Sequence, residues 1–164
     1  ESIDALMEQL ENRERQLNVL EGLLLENELA VEMSPAGRPV AKGWISSRYG
    51  SRRDPVSGKK SFHRGLDFAG KRGADVSAMA AGVVTYSGRK NNYGNIVIID
   101  HGNGYVTRYA HNKENLVSAG DAVKRGQIIA KLGSTGRSTG PHVHLEVLKD
   151  GKFINPIKLV RAEN

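Results

Sequence analysis

Two histidine-containing segments carry the side chains with the clearest chemical potential. His63 stands four residues before Asp67 in FHRGLDFAG, and Gly65 between them allows a tight turn that brings both side chains to one point. His142 and His144 alternate in GPHVHLEV, so on a β-strand both project from the same face, about 6.5 to 7 Å apart. Imidazole and carboxylate groups bind zinc, and the chain has no cysteine to supply thiolates. The pattern therefore predicts a metal site.

The number of candidate ligands matches a catalytic zinc site, which usually has three protein ligands and an open position for water. His63, Asp67 and one histidine of the pair complete such a set, and the other histidine then faces the substrate. Taken alone, an HxxxD spacing is more often a hydrogen-bonded turn, and an HxH pair on a strand is often structural. Together, with the loop STGRSTG just before the pair, they favour a metal site.

The other two histidines are less informative by themselves. His111, in RYAHN, ends an apolar run and is either functional or a surface imidazole. His101 lies in a segment rich in glycine, and we interpret it as structural.

The elements that must position these residues are predicted to be strands. Short apolar runs bounded by glycine or Asn/Gly turns are typical of an antiparallel sheet, and they occur at 83–86, 96–99, 105–110, 128–132 and 143–148. Residues 100–104 predict a hairpin connection, and residues 118–131 predict another compact β unit. The body of the chain is therefore predicted to be mainly β.

The N-terminal segment has a different pattern. Apolar residues follow a heptad repeat that predicts a coiled-coil helix over residues 1–33: Ile3, Leu6, Leu10, Leu17, Leu20 and Leu24. Arg13 and Asn27 interrupt the seam, so the helix needs a partner surface. The partner is either part of the same chain, another helix, or a second copy in a homodimer. Prolines and a glycine then predict a linker over residues 34–43, which leaves residues 44–160 as the β domain.

Charge divides the chain in the same way. Residues 1–33 have a net charge of −7, and the rest of the chain has +13. A basic domain suits nucleic acid, anionic lipid or an acidic polymer such as bacterial cell wall. The aromatic content of 5% is low for a protein that stacks single-stranded bases, and we expect no nucleic-acid partner.

No apolar run is long enough to cross a bilayer. Because the sequence opens at Glu1 without methionine, we expect a fragment or a processed chain, with room for an export signal or membrane anchor upstream.

Several separated motifs resemble the lysostaphin-type zinc metallopeptidases, which cut peptide cross-links in bacterial cell wall. The motifs FHRGLDFAG, RYAHN and GRSTGPHVHLEV occur in the family's order and at its separations. ISSRYGSRRDP, GNIVIIDHGNGYVTRYAH and GDAVKRGQIIAKLGSTG are also similar to family segments, so the resemblance covers about residues 42–157. It implies an antiparallel β-sheet peptidase domain with a groove over a zinc site, here preceded by the N-terminal helix.

Residue by residue, the resemblance implies that His63, Asp67 and His144 bind one Zn²⁺ ion and that His111 and His142 are catalytic histidines outside the ligand set. All five are present, unlike in the degenerate relatives that have lost ligands and activate cell-wall amidases. Three residues of ISSRYGSRRDP, which resembles the opening strand and turn of the family, are expected near the groove: Arg48, Tyr49 and Arg52. No substrate-binding residue is assigned.

The implied function is hydrolysis of peptidoglycan peptides by metal-activated water, with the two histidines sharing proton transfer and oxyanion stabilisation. The sequence contains no HExxH motif, so no helical glutamate takes the role of base. Two alternatives stay open: a catalytically silent regulator that binds cell wall or an amidase through the same groove, and a coiled-coil scaffold anchored by the β domain. The implied location is the periplasm or cell envelope, with tethering to the inner membrane through an upstream segment.

Overall fold

The computed structural model describes residues 2–161 and divides the chain into two compact units after residue 32. The predicted N-terminal helix is present as α1, Ile3–Met33, and Glu1 lies outside the described residues. No side chain described in α1 is buried. The exposed apolar side chains include the heptad residues and also Leu23 and Leu29, so the apolar surface is broader than the predicted seam. Among residues 2–161, no helix combines the length and apolar character needed to span a bilayer.

The second unit is built almost wholly from strands, which confirms the prediction of a mainly β antiparallel fold. The described residues form β1 Trp44–Ser47, β2 Gly50–Arg53, β3 Lys60–His63, β4 Leu66–Ala69, β5 Asp75–Ser77, β6 Gly82–Lys90, β7 Gly94–Gly102, β8 Tyr105–Asn112, β9 Glu114–Asn115, β10 Ala122–Val123, β11 Ile128–Lys131, β12 His142–Lys149 and β13 Lys152–Ile154. A short helix, α2, follows at Ile157–Arg161.

The central sheet has the strand order β1-β4-β12-β8-β7-β6-β10, and β13 also pairs with β12. The five predicted apolar runs lie in β6, β7, β8, β11 and β12. The predicted hairpin joins β7 to β8 through Asn103 and Gly104, whose φ angles of 49° and 79° suit a two-residue turn with the twist of the strands. Residues 118–131 contain β10 and β11, which join different sheets: β10 pairs with β6, and β11 pairs with β5 and β9.

Strand β12 contributes side chains both to the hydrophobic core and to the opposite face of the sheet, which carries the two histidines of the HxH pair. Val143, Leu145 and Val147 belong to the buried core cluster, as do residues from the neighbouring strands such as Phe68 and Tyr109. Because successive side chains of a strand point to opposite faces, the alternate residues of β12 project to the other face: His142, His144 and Glu146.

The predicted linker segment, residues 34–43, is packed against the β unit. Pro39 and Val40 are buried, and the backbone N–H of Ala36 donates a hydrogen bond to the carbonyl of Met79 at 3.1 Å. These contacts tie the start of the second unit to its core.

His101 is fully buried and has a structural role, as predicted. Its Nδ1 lies 2.8 Å from the Ala81 carbonyl, which can only accept, so Nδ1 is the donor. Its Nε2 lies 2.6 Å from Thr107 Oγ1, which in turn is 3.0 Å from the Tyr109 hydroxyl. Burial lowers the pKa of His101, although its hydrogen bond to Ala81 opposes that shift.

Candidate metal centre

Strand register brings two of the predicted ligands together. Strand β12 lies between β4 and β8, and His144 stands directly opposite Asp67 in the antiparallel pairing of β12 with β4. Directly paired residues project from the same face of a sheet. His142, two residues before His144, shares that face, so the sheet places all three side chains on one surface.

His63 reaches the same surface from the end of β3, and the structure gives a reason for Gly65 in addition to the bend of the chain between β3 and β4. Gly65 does not have a positive φ. A Cβ atom at this position would lie 2.3 Å from the Leu145 carbonyl oxygen and 2.8 Å from Cε1 of His144. Gly65 is therefore needed because the chain passes very close to β12, and this close passage sets His63 beside His144.

Three potential ligand atoms form a small triangle. Asp67 Oδ1 lies 2.7 Å from His144 Nδ1 and 3.1 Å from His63 Nε2, and the two histidine nitrogens are 3.1 Å apart. Two ligands in a tetrahedral zinc site, each about 2.0 to 2.1 Å from the ion, are separated by about 3.3 Å. All three residues are buried, and their ligand atoms lie close enough together to bind one metal ion. The donor types and their spacing fit a zinc ion.

The outer nitrogens of both histidines are held by acceptors. His63 Nδ1 lies 2.8 Å from the Arg48 carbonyl, and His144 Nε2 lies 3.1 Å from Glu146 Oε1. Because a carbonyl or a carboxylate accepts hydrogen bonds, each outer nitrogen donates a proton to its partner. The inner nitrogens are thereby directed toward the common point that they share with Asp67.

The electrostatics of the cluster favour positive charge beside the Asp67 carboxylate. Burial opposes ionisation of Asp67, but hydrogen bonds from His144 and His63 hold its pKa well below the usual range. Burial also opposes protonation of His144, but hydrogen bonds to Asp67 and Glu146 raise its pKa to about 9. A proton on His144 therefore occupies the position of positive charge that a metal ion would take.

His111 and His142 lie beside this cluster, with their ring centroids 4.7 Å apart. His142 Nδ1 is 2.8 Å from the Gly140 carbonyl, and its Nε2 is 3.9 Å from Asp67 Oδ1. His111 Nδ1 is 2.7 Å from the Thr135 carbonyl. In both rings Nδ1 donates to a backbone carbonyl, so Nε2 remains available for other partners.

The backbone at His111 has an unusual conformation, with a φ of 65° near the end of β8. Residues other than glycine seldom adopt this left-handed region, and such conformations cluster at functional sites. Burial lowers the pKa of His111 to about 4, although its hydrogen bond to Thr135 opposes that shift. His111 is therefore neutral at neutral pH.

All five predicted site residues thus occupy one cluster, and the structure adds contacts from residues that no sequence motif indicated. Thr135 holds His111, and its Oγ1 accepts a hydrogen bond from the backbone N–H of Asn95 at 3.0 Å. Glu146 contacts His144 and receives hydrogen bonds from Tyr93 and Arg108. The only sequence signal for Glu146 was its alternation with the two histidines of β12.

A groove of roughly 520 Å³ opens over the cluster. Four arginines line it: Arg52, Arg53, Arg64 and Arg137. Arg137 pairs with Asp54 at 2.8 Å, and Arg52 lies 3.5 Å from Asp67 Oδ2. Of the opening-turn residues expected near the groove, Arg52 lines it. Arg48 supplies a carbonyl to His63, and the Tyr49 hydroxyl donates to the Phe153 carbonyl at 3.3 Å.

Comparison with known sequences gives a family match over the region that contains the site. The sequence profile of peptidase family M23 matches residues 61–156. The chain is 43% identical over 121 residues to the DD-carboxypeptidase/endopeptidase Mpg of Neisseria meningitidis serogroup B. That alignment covers 74% of this chain and 28% of the relative, so the chain spans little more than a quarter of the length of that protein.

Comparison with solved structures gives similar results. A zinc-containing peptidase from Vibrio cholerae superposes with a TM-score of 0.70 and 38% identity, over 79% of this chain and 40% of that one. The catalytic domain of lysostaphin from Staphylococcus simulans superposes with a TM-score of 0.67 and 29% identity, over 73% of this chain and 93% of that one.

Proposed function

The chain belongs to peptidase family M23, and we propose that it is a zinc-dependent endopeptidase that hydrolyses peptide cross-links of bacterial peptidoglycan. The observation that carries this proposal is the buried triangle of His63, Asp67 and His144, with the free Nε2 atoms of His111 and His142 beside it. The resemblance of the chain to a named DD-carboxypeptidase/endopeptidase supports the substrate class.

We assign His63 Nε2, Asp67 Oδ1 and His144 Nδ1 as the ligands of a single zinc ion, because these three atoms are the ones that converge. These residues would hold a zinc ion that, when bound, would lower the pKa of its bound water toward about 7 and polarise the scissile carbonyl. The protein itself supplies no nucleophile in this proposal. Its remaining groups orient the substrate and move protons.

The two other histidines take the proton-transfer roles. His111 is neutral and its Nδ1–H is committed to Thr135, so its Nε2 can accept a proton but has none to donate. We therefore assign His111 as the acceptor of the proton from attacking water. His142, whose Nε2 lies nearer to Asp67, is assigned to stabilise the oxyanion or protonate the leaving amine.

The charge of the groove supports an anionic peptide substrate. Arg52 and Arg137 are paired with aspartates, whereas Arg53 and Arg64 have no acidic partner among the described residues. Guanidinium groups bind carboxylates strongly, and the stem peptides of cell wall carry free carboxylates. An envelope location, in the periplasm for a Gram-negative cell, follows from this substrate.

The experiment that tests the function measures zinc stoichiometry together with the release of muropeptides from purified sacculi. We expect one zinc per chain and soluble fragments whose masses identify the bond cut. Sacculi with direct D-amino-acid cross-links and sacculi with oligoglycine bridges distinguish the two substrate types. One bound zinc without any fragments from either wall would favour the alternative, a silent regulator that binds wall or an amidase through the same groove.

We further propose that α1 is a tethering or partner-binding arm, through a second copy or another helix, that is dispensable for catalysis. Its support is the row of exposed apolar residues along the acidic helix, such as Leu10, Leu17 and Leu24. An apolar helix face of this kind requires a partner surface.

A chain that begins at Ser34 is expected to fold, bind zinc and cleave soluble muropeptides at a rate comparable to that of the full chain. This boundary keeps Pro39 and Val40, which are buried in the β unit. Circular dichroism, metal content and cleavage rate check the result. Unfolding would place the arm in the core, and faster cleavage would show that the arm inhibits. The scaffold alternative makes a different prediction for the cell. Variants that replace His63, Asp67 or His144 would then keep the biological effect of the full chain, and only removal of α1 would abolish it.

A further inference from the structure

A buried carboxylate beside the metal centre has no role in the reaction proposed so far. Glu146 is only 2% exposed, and burying a charged group is costly unless it is paired. We propose that Glu146, held by Arg108 and Tyr93, is a positioning residue that fixes the orientation of His144 and favours the tautomer that can bind a metal through Nδ1. This inference rests on the proposed metal-binding function.

The position of Glu146 separates it from the ligand atoms. It follows His144 by two residues on β12 and therefore projects from the same face. Its Oε1 contacts Nε2 of His144 at 3.1 Å, whereas Asp67 and His63 contact the opposite nitrogen, Nδ1. Glu146 thus holds the outer side of the ring while the ligand atoms converge on the inner side.

Two further groups fix Glu146 itself. Arg108 stands directly opposite Glu146 in the pairing of β12 with β8, and its Nη1 donates to Oε2 at 3.2 Å. The hydroxyl of Tyr93 donates to Oε1 at 3.0 Å. The Arg108 guanidinium also lies 5.4 Å from the ring centroid of Phe153, which restricts its movement. Both carboxylate oxygens are therefore engaged, and the carboxylate has one orientation toward His144.

The consequence concerns the nitrogen that His144 offers to a metal. A neutral imidazole has one protonated and one free nitrogen, and the acceptor on one side decides which is which. Two carboxylates compete for this proton, because Asp67 Oδ1 lies 2.7 Å from Nδ1 and Glu146 Oε1 lies 3.1 Å from Nε2. Glu146 therefore draws the proton toward Nε2 and favours the lone pair on Nδ1 that a metal requires. Without this acceptor, His144 would populate the tautomer with a proton on Nδ1, which cannot bind a metal through that atom.

The test replaces Glu146 by leucine, which has a similar size but no acceptor, and by glutamine, which retains an acceptor oxygen. In the full chain, Glu146→Leu is expected to lower zinc affinity about 10- to 100-fold in competition with a chelator, as losses of outer hydrogen bonds to ligands do. The zinc affinity of Glu146→Gln should lie between that of Glu146→Leu and that of the wild type. Tyr93→Phe keeps the ring and removes only the hydroxyl, so its affinity should fall less than that of Glu146→Leu.

A second measurement reads the tautomer without zinc. In the metal-free chain at alkaline pH, nitrogen NMR of the His144 ring is expected to show both tautomers, because Glu146 at Nε2 and Asp67 at Nδ1 compete for the single ring proton. Glu146→Leu should shift this population toward protonated Nδ1. A merely structural role would destabilise the fold without changing the tautomer.

The controls are Glu114→Leu and Tyr86→Phe, which make the same changes at residues away from the site. Glu114 lies in β9, and the Tyr86 hydroxyl donates to the Arg89 carbonyl. Wild-type affinity and an unchanged ring spectrum in folded Glu146→Leu would overturn the proposal. If Glu146→Leu fails to fold, Tyr93→Phe decides by the same two measurements. A wild-type chain that binds no zinc overturns the proposed function instead, and the metal-free spectrum still tests the inference.

Discussion

Replacing His63, Asp67 or His144 by alanine is expected to abolish both zinc retention and peptidoglycan hydrolysis. Each change leaves two of the three converging atoms, and two ligands do not hold a catalytic zinc well. The loss of affinity should exceed the roughly 100-fold upper range that is typical when an outer contact to a ligand is lost. Metal analysis after dialysis, with cleavage of sacculi measured on the same samples, checks the result.

Asp75→Ala is a suitable control for these variants, because Asp75 is an aspartate that pairs with Lys131 at the surface. It should keep its full zinc content. Full zinc content in all three ligand variants would rule out the ligand assignment. Retention by one variant alone would remove that residue from the set.

The same site predicts how zinc affinity varies with pH. In the metal-free protein the pKa of His144 is raised to about 9, so the site carries a proton at neutral pH that zinc must displace. Displacing one proton lowers the apparent affinity about tenfold for each pH unit below that pKa. Zinc affinity should therefore fall as the pH is lowered from about 9, and chelator competition across this range measures the slope.

Strand periodicity and short spacings in the sequence were enough to predict where some of the candidate site residues lie. The alternation of His142 and His144 placed both on one face, and the apolar runs predicted the strands that flank them. The strand pairing that sets His144 opposite Asp67 joins residues 77 positions apart. The local sequence pattern of either strand does not predict which strand it pairs with.

The sequence could not reveal contacts that depend on tertiary packing. Gly65 was associated with the approach of His63 to Asp67 through a turn, but the sequence did not show that the nearby carbonyl of Leu145 leaves no room for a side chain at this position. Thr135 belongs to a loop whose composition predicts no particular contact, yet its carbonyl fixes the His111 ring. Such contacts follow from the path of the chain in three dimensions, which short-range patterns do not specify.

His111→Ala and His142→Ala are expected to lose most hydrolysis while keeping zinc. Neither ring contributes an atom to the ligand triangle, and the roles assigned to them are typically each worth about 10² to 10⁴-fold in rate. Measurements of kcat on a soluble muropeptide and of metal content after dialysis check both parts. Asn155→Ala, at the surface away from the groove, should retain activity in the same assays.

The two possible failures of this prediction have different meanings. Loss of zinc from His142→Ala would move His142 into the ligand set. The geometry argues against this, since Asp67 Oδ1 is 2.7 Å from His144 Nδ1 but 3.9 Å from His142 Nε2. Unchanged kcat in His111→Ala would remove His111 as proton acceptor. Burial lowers the pKa of His111 to about 4, so protonation of His111 should not reduce activity between pH 7 and about 5. If activity does fall in that range, the same fall should persist in His111→Ala.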